Sequence, residues 1–205
     1  PAAVASRFGN AGQTCIAAKR FIVTPGIADA FVARFVEAAS KLSVGDPMDD
    51  ATTLAPMARA DLRDEVHDQV QRSIAAGATL LLGGTLGQGG SHYPATILDH
   101  VVPGMPAYRE ELFGPAASIL RAGDDDDAVR IANDTDFGLG ASVWTRDKAR
   151  GEAVARRLQA GATFVNAIVR SDVRLPFGGT KTSGFGRELA EHGIHEFMNI
   201  KTVYV

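Results

Sequence analysis

The sequence predicts an α/β fold in which a mostly parallel, open sheet is flanked by helices. Short apolar runs of strand length alternate along the chain with longer segments whose apolar residues recur at helical spacing. Such alternation is typical of βαβ connections, which place helices on the faces of a parallel sheet. In folds of this kind, ligands usually bind beyond the carboxyl ends of the strands, and we expect a site there.

The predicted strands are rich in β-branched and aliphatic residues and end at glycine, proline or polar residues. Residues 96–98 fit either a further strand or an extended edge. A β-branched segment, Ile200–Val205, predicts a terminal strand. The other predicted strands lie at 21–23, 79–82, 116–120, 141–144 and 161–166, with a glycine-rich loop at 83–90.

The predicted helices carry an apolar stripe on one side, as Ile27, Phe31 and Phe35 illustrate. Gly77 follows the second helix as a C-cap, because glycine readily adopts the left-handed conformation found there. The four acidic residues from Asp124 to Asp127 indicate a solvated loop and a helix N-terminus, where negative charge is favourable. The predicted helices lie at 27–42, 61–76, 126–132, 148–159 and 189–195.

Composition narrows the possible functions. The chain has 205 residues, is 45% hydrophobic and carries a net charge of −3, so no overall positive field favours nucleic acid or anionic membrane as a partner. No apolar stretch approaches the roughly 20 residues that span a bilayer. Cys15 is the single cysteine and cannot form an internal disulfide, and no signal-peptide pattern precedes it. We therefore expect a cytoplasmic protein, and no residue group suggests a metal site.

The first segment that carries chemistry is a glycine-rich loop that delivers Cys15 just before an apolar strand. Gly12 allows the backbone to approach a ligand closely, and backbone N–H groups at such a turn can stabilise an oxyanion. A cysteine thiolate there is a candidate nucleophile. The alternative for this stretch alone is an inert, buried cysteine.

The second segment, from Glu110 to Pro115, places Glu111 and Phe113 two residues apart. In an extended segment these side chains point to the same side. A carboxylate and a flat ring there could accept a ribose diol and line a nicotinamide. The alternative is a turn with a surface glutamate and a core phenylalanine.

The third segment, from Pro176 to Glu188, contains four glycines and predicts a tight loop or one that passes close to a ligand. The pattern of a phosphate-binding P-loop is absent from it. Its Gly-Phe-Gly also lacks the third glycine of a dinucleotide-binding fingerprint.

Together with the stretch from Asn133 to Leu139, these three segments resemble in their order the aldehyde dehydrogenase superfamily. The resemblance runs from about Ser6 to the end of the chain. Residues 15–23 and 193–203 are most similar to bacterial succinate-semialdehyde dehydrogenases. The resemblance implies a catalytic domain at 1–198 and an oligomerisation strand at 199–205. It also implies that the NAD(P)-binding domain, the general-base glutamate and an oxyanion asparagine all lie outside this chain.

For the reaction centre, the resemblance implies that Cys15 is the nucleophile and that its backbone N–H forms half of the oxyanion hole. Glu111 would contact the nicotinamide ribose, and Phe113 the nicotinamide ring. The cofactor would be NAD or NADP, and the residues that distinguish these two would lie in the absent domain.

For the substrate, the resemblance implies that Ser171 holds a carboxylate and that Phe177 belongs to the substrate loop. Glu188 would lie near a proton-exit path. Some members carry a substrate-binding arginine six residues before the cysteine, where this chain has Gly9. Arg170 and Arg174 flank Ser171 and could supply that cation instead, or could be solvated surface residues.

The sequence therefore predicts the catalytic part of an NAD(P)-dependent aldehyde dehydrogenase that oxidises an aldehyde through a thiohemiacetal and a thioester. Succinic semialdehyde is one possible substrate, and a homo-oligomer formed through the terminal strand is expected. We expect the chain by itself to be inactive. Three alternatives stay open: a relative that acts on another aldehyde, a catalytically silent domain that acts only through assembly, and a redox-sensing thiol at Cys15.

Overall fold

The structure is a computed structural model that describes residues 1–86 and 89–205. The chain divides into two compact units, Pro1–Asp134 and Thr135–Val205. The predicted glycine-rich loop at 83–90 includes residues 87 and 88, which lie outside the described residues. The predicted domain limits, 1–198 and 199–205, stay a prediction.

The first unit is built on a four-stranded sheet of β1 (Arg20–Val23), β2 (Thr79–Leu82), β3 (Thr96–Asp99) and β4 (Ala116–Arg121). The strand order is β1-β4-β3-β2, with β4 parallel to both of its neighbours and β2 antiparallel at one edge. All four residues of β3 are buried. The strand alternative for residues 96–98 is therefore confirmed and the edge alternative is wrong, because β3 pairs on both sides.

Five helices accompany this sheet in the described part of the first unit. The two longest correspond to the predicted helices at 27–42 and 61–76: the first is shorter at both ends, and the second has the predicted length but is shifted by one residue. The helices are α1 (Ala2–Phe8), α2 (Ala28–Ala39), α3 (Ala60–Ala75), α4 (Pro106–Arg109) and α5 (Asp125–Asn133).

An aromatic cluster joins α1, α2 and β1. The ring centroid of Phe35 lies 6.0 Å from that of Phe8, 4.8 Å from that of Phe21 and 5.5 Å from that of Phe31. Burying one such side chain stabilises a fold by about 1.5–3 kcal/mol. The cluster therefore anchors α1, the helix that leads directly into the Cys15 loop.

The two predicted helix-end signals, Gly77 and the acidic run from Asp124 to Asp127, are confirmed. Gly77 has a φ of +108°, and its N–H donates to the Ile74 carbonyl, as expected of a residue that follows a helix. At α5, the Asp124 side chain accepts a hydrogen bond from the Asp127 N–H at 2.8 Å. The acidic run is thus a helix cap and first turn.

The second unit contains a compact βαβ arrangement and a short two-stranded sheet. The strands β6 and β7 are parallel, and β5 is antiparallel to β8. The predicted helix at 148–159 ends earlier than expected. The elements are β5 (Phe137–Gly138), β6 (Gly140–Val143), α6 (Lys148–Ala155), β7 (Ala162–Val165), β8 (Thr180–Lys181) and α7 (Ala190–His195).

The predicted terminal strand is not formed in this chain. Ile200–Val205 has exposed side chains and no regular secondary structure. A strand exists only when its backbone pairs with a neighbour, and no described residue pairs with this segment. Its pairing with another chain stays a prediction.

The fold class is confirmed as α/β with mainly parallel strands and flanking helices. Among the described residues, no helix is both long enough and apolar enough to cross a lipid bilayer.

Candidate active site

The candidate reaction centre is formed by two segments of the first unit, which we call the cysteine loop (9–19) and the glutamate segment (110–115). The cysteine loop directly precedes β1, and the glutamate segment directly precedes β4. Because β1 and β4 are parallel neighbours, both segments lie at the amino ends of these strands. The expectation of a site beyond the carboxyl ends therefore does not hold for these residues.

The cysteine loop begins with a sharp left-handed turn. Asn10, Ala11 and Gly12 have φ values of 51°, 52° and 72°. Left-handed backbone is uncommon for residues other than glycine, and at the buried Ala11 it costs conformational energy. Side-chain and backbone hydrogen bonds between Asn10 and Gln13 close the turn at 3.0–3.3 Å. The turn sets the direction in which the chain reaches Cys15.

Arg7 joins the cysteine loop to the glutamate segment. Its guanidinium is fully buried and donates to the carbonyls of Gly12 at 2.7 Å, Gly114 at 2.6 Å and Leu112 at 3.3 Å. The planar donor array of arginine suits several carbonyls at once. One side chain of α1 thus fixes the relative position of the two segments.

Burial lowers the pKa of Arg7 to about 10, and the negative charge of Glu111 opposes this shift. Arg7 therefore stays charged at neutral pH. Its Nε has no hydrogen-bond partner among the described residues. A buried charge is costly when it is incompletely paired, so the carbonyls that surround Arg7 are needed to hold it there.

The close contact among Arg7, Gly12 and Gly114 requires a glycine at position 12. A Cβ atom at this position would overlap the Gly114 carbonyl oxygen and the Arg7 guanidinium. The loop and the segment are therefore packed backbone to backbone, which only glycine allows.

Cys15 is exposed, so the alternative of a buried cysteine is wrong, and its role as nucleophile stays a prediction. Its backbone N–H donates to no other group in the part of the chain that the structure describes. An accessible thiol beside an unpaired N–H donor is the arrangement that attack on a carbonyl carbon needs, since the N–H can stabilise the oxyanion that forms.

Glu111 and Phe113 both face one ammonium group. Lys19 Nζ lies 3.0 Å from Glu111 Oε1 and 5.5 Å from the centre of the Phe113 ring. The two side chains therefore share a side, as their spacing predicts. Burial and the nearby charge of Arg7 lower the pKa of Lys19, and contact with Glu111 opposes this.

Glu110 has different surroundings from its neighbour. Arg72 donates to both of its carboxylate oxygens at 3.0 Å, and Gln69 donates to one of them at 3.0 Å. The hydrogen bond from Arg72 holds the pKa of Glu110 below its usual range. Glu110 thus ties the segment to α3, whereas Glu111 faces the cysteine loop.

The candidate substrate residues lie in the second unit. Ser171 and Arg170 are exposed, and Arg170 forms no ion pair among the described residues. Arg174 donates to Asp172 through two hydrogen bonds of 2.9 and 2.7 Å, which help to lower the pKa of Asp172 to about 2. Arg174 thus already has a carboxylate partner at the surface, and its role towards a substrate carboxylate stays a prediction.

Phe177 and Glu188 are joined through their backbones. The N–H of each donates to the carbonyl of the other, at 2.9 and 2.7 Å. Phe177 is 9% exposed, which leaves little of its ring for a substrate, whereas Glu188 is exposed. Their substrate and proton-path roles stay predictions.

Sequence reasoning missed Arg7 and Lys19 as site residues. Both are cations in apolar surroundings: Arg7 ends a short apolar helix beside Phe8, and Lys19 follows Ala17 and Ala18 just before β1. A charge within such a stretch is a usable signal, because it needs a partner when it is buried.

Comparison with known proteins decides the family. The model of the Aldehyde dehydrogenase family matches residues 1–203. This chain belongs to the aldehyde dehydrogenase family. The chain is 53% identical to succinate semialdehyde dehydrogenase [NAD(P)+] Sad of Escherichia coli (strain K12) over 204 residues, 99% of this chain and 44% of that protein. It is 50% identical to succinate-semialdehyde dehydrogenase [NADP(+)] 1 of Mycobacterium ulcerans, over the same shares of the two chains.

Solved structures of aldehyde dehydrogenase relatives agree with this assignment. Succinic semialdehyde dehydrogenase from Streptococcus pyogenes, solved with NADP+, superposes with a TM-score of 0.95 at 36% identity. The structure of Gox0499, solved to explain cofactor and substrate selection, gives a TM-score of 0.95 at 40% identity. Both superpositions cover all of this chain and 45% of the other. This chain thus spans less than half the length of these relatives.

Proposed function

We propose that this chain is the cysteine-bearing catalytic part of an NAD(P)-dependent aldehyde dehydrogenase that oxidises a short aldehyde with a remote carboxylate, such as succinic semialdehyde. The observation that carries the proposal is the exposed Cys15, with its unpaired backbone N–H, on a loop that Arg7 fixes beside Glu111 and Phe113. The named succinate-semialdehyde dehydrogenases among the relatives support the substrate class.

In the proposed reaction, the Cys15 thiolate attacks the aldehyde carbon and forms a thiohemiacetal. The Cys15 N–H donates to the developing oxyanion, and backbone donors of this kind lower the barrier to such attack. Loss of hydride from the carbon converts the thiohemiacetal into a thioester on Cys15. Water then hydrolyses the thioester to the carboxylic acid, assisted by a glutamate outside this chain.

Bound NAD or NADP would supply the hydride acceptor. The residues present fit its nicotinamide half: Glu111 offers a half-exposed carboxylate to a ribose diol, and the Phe113 ring is 39% exposed. We propose that a domain outside this chain binds most of the cofactor. The two residues would then orient the reacting end, where small displacements slow the reaction strongly.

For the substrate carboxylate, we propose contact with Ser171 and Arg170, which are exposed and carry hydrogen-bond donors. Arg174 pairs with Asp172 through Nε and Nη2, which leaves its Nη1 donors for a substrate carboxylate. The replacement Ser171→Ala is expected to raise KM for succinic semialdehyde more than KM for propanal, which has no carboxylate. Equal effects on both substrates would remove Ser171 from this role.

Two further expectations belong to this proposal. Exposed apolar side chains at Ile200, Val203 and Tyr204 support a homo-oligomer that forms through the terminal segment. A cytoplasmic location accords with the single cysteine.

The exposure of Cys15 also supports a second candidate function, a redox-sensing thiol. That function predicts that peroxide oxidises Cys15 to a sulfenic acid at the same rate in wild type and in Glu111→Gln and Phe113→Ala variants. A dehydrogenase predicts instead that these two variants lose aldehyde oxidation.

The deciding experiment follows the absorbance of reduced nicotinamide in the complete gene product and in the isolated chain. Each is given succinic semialdehyde or propanal, with NAD or NADP. We expect turnover by the complete product, its loss in Cys15→Ala, and no turnover by the isolated chain. Activity that survives in Cys15→Ala would refute the role of Cys15. Steady turnover by the isolated chain would refute the need for a further domain.

A further inference from the structure

Lys19 contacts each of the three candidate residues of the reaction centre: the carbonyl of Cys15, the carboxylate of Glu111 and the ring of Phe113. We propose that Lys19 is a positioning residue for the dehydrogenase reaction, whose ammonium holds the Glu111 carboxylate in place for the cofactor ribose and ties it to the backbone that carries Cys15. The inference rests on the proposed function, because it assigns Glu111 to the cofactor.

The first step of the argument is the contact between Lys19 and the cysteine loop. Nζ lies 3.4 Å from the carbonyl oxygens of Thr14 and Cys15 and 3.3 Å from that of Ala17. The Ala17 N–H donates to the Thr14 carbonyl, so these residues form a turn. The ammonium therefore closes the turn that presents the thiol, and three N–H donors suit several carbonyls around one point charge.

The second step is the orientation of Glu111. Its Oε1 lies 3.0 Å from Lys19 Nζ, and its carboxylate has no other partner in the part of the chain that the structure describes. Lys19 alone therefore orients this group. The second oxygen, Oε2, stays available to accept a hydrogen bond from a ribose hydroxyl.

The third step is burial. The Lys19 side chain is 18% exposed and that of Glu111 is 37% exposed, so water screens this pair less than it screens a fully exposed one. The Phe113 ring lies beside the same ammonium, at a distance where cations attract aromatic rings. Ring and carboxylate are thus placed relative to one another by a single charge.

The neighbouring pair of Arg72 and Glu110 provides a matched control. It belongs to the same segment and has the same charges and an N–O distance of 3.0 Å, but Glu110 is held to α3 instead of the cysteine loop. A general need for a salt bridge in this segment would make both pairs equally important. A positioning role would confine the kinetic effect to Lys19.

The test measures kcat, the KM for the cofactor and the KM for the aldehyde in the complete gene product. The variants are Lys19→Met, Glu111→Gln, the double variant, Lys19→Arg and the control Arg72→Met. We expect Lys19→Met to raise the cofactor KM about tenfold, with a smaller change in aldehyde KM. Lys19→Arg should restore part of the loss, and the double variant should be little worse than either single one, because both act through one contact.

The inference is overturned if Lys19→Met leaves the cofactor KM unchanged, if its effect adds fully to that of Glu111→Gln, or if Arg72→Met has the same effect. Failure of the proposed function looks different, because the wild-type product would then oxidise no aldehyde with either cofactor. That outcome would remove both proposals together. An active wild type with an unaffected Lys19→Met variant would remove only this one.

Discussion

The cysteine loop of the first unit and the segment around Ser171 in the second unit are held in opposite ways. The loop is fixed by a buried arginine that reaches carbonyls 105 and 107 residues further along the chain. The Ser171 segment is exposed and is held by the local pair of Arg174 and Asp172 and by one hydrogen bond from the Ala190 N–H to the Val173 carbonyl. One candidate site element depends on a buried charge in the core of its unit, and the other on a few hydrogen bonds at the surface.

This difference fits the demands of the proposed chemistry. A nucleophile and the residues that orient its cofactor must keep a fixed geometry, because small misplacements cost large factors in rate. A segment that selects the substrate can rearrange at low cost when its contacts are few and exposed. We therefore expect replacements in the cysteine loop to disturb stability far more than replacements around Ser171.

The largest expected effect is that of Arg7→Met. The replacement keeps an unbranched side chain but leaves the Gly12 carbonyl without its donor, and the Gly114 carbonyl keeps only the Ala116 N–H. These losses should lower the free energy of unfolding by about 3 kcal/mol. Arg174→Met, at a side chain that is 82% exposed, should change it by about 0.5 kcal/mol or less. Urea denaturation of the chain measures both values. Similar losses in the two variants would break the contrast between the two regions.

Gly12→Ala should have the next largest effect. The added Cβ overlaps the Gly114 carbonyl, and the positive φ strains any other residue by about 1–3 kcal/mol. Gly9→Ala is the control in the same loop, since a Cβ there meets no atom within 4 Å and its φ of −55° suits alanine. Thermal unfolding of both variants tests this point. An unchanged Tm for Gly12→Ala would show that the loop and the glutamate segment can separate freely.

The smallest expected effect concerns the pH dependence of the Ser171 segment. The side-chain hydrogen bond from Arg174 is the main cause that lowers the pKa of Asp172, to about 2. The stabilisation from this carboxylate is therefore present above its unfolded pKa of about 3.9 and is lost as the pH falls through about 2. NMR titration should show the pKa of Asp172 rising towards about 3.9 in Arg174→Gln. An unchanged pKa in that variant would mean that Arg174 does not hold Asp172 in solution.

Much of the fold could be predicted from local pattern. The helices α2 and α3, the cap at Gly77 and the acidic cap of α5 follow from spacing and from backbone preferences that act within a few residues. The C-terminal end of α6 and the lack of a strand at Ile200–Val205 could not be predicted, because they depend on which partners the segments find. A β-branched segment has the propensity for a strand, but its hydrogen bonds must come from another strand.

The candidate site residues also fall into those that local sequence pattern could identify and those that it could not. Cys15, Glu111 and Phe113 could be selected by residue type, by spacing and by resemblance to the aldehyde dehydrogenases. The roles of Arg7 and Lys19 could not, because a cation gives no sign in the sequence of which distant carbonyl or carboxylate it will meet. The spacing of Glu111 and Phe113 predicts that their side chains lie on one side of the segment. It does not predict that both face the ammonium of Lys19.

The sequence by itself determined the alternation of strands and helices, the family resemblance and the choice of Cys15 as the candidate nucleophile, since these depend on residue type and on near neighbours. Only the tertiary structure decided that the cysteine loop and the glutamate segment meet at the amino ends of β1 and β4. Parallel pairing brings together segments that lie about a hundred residues apart, and the buried guanidinium of Arg7 then locks them. Local backbone preferences carry no information about this contact between distant segments, because it depends on the strand order of the whole sheet.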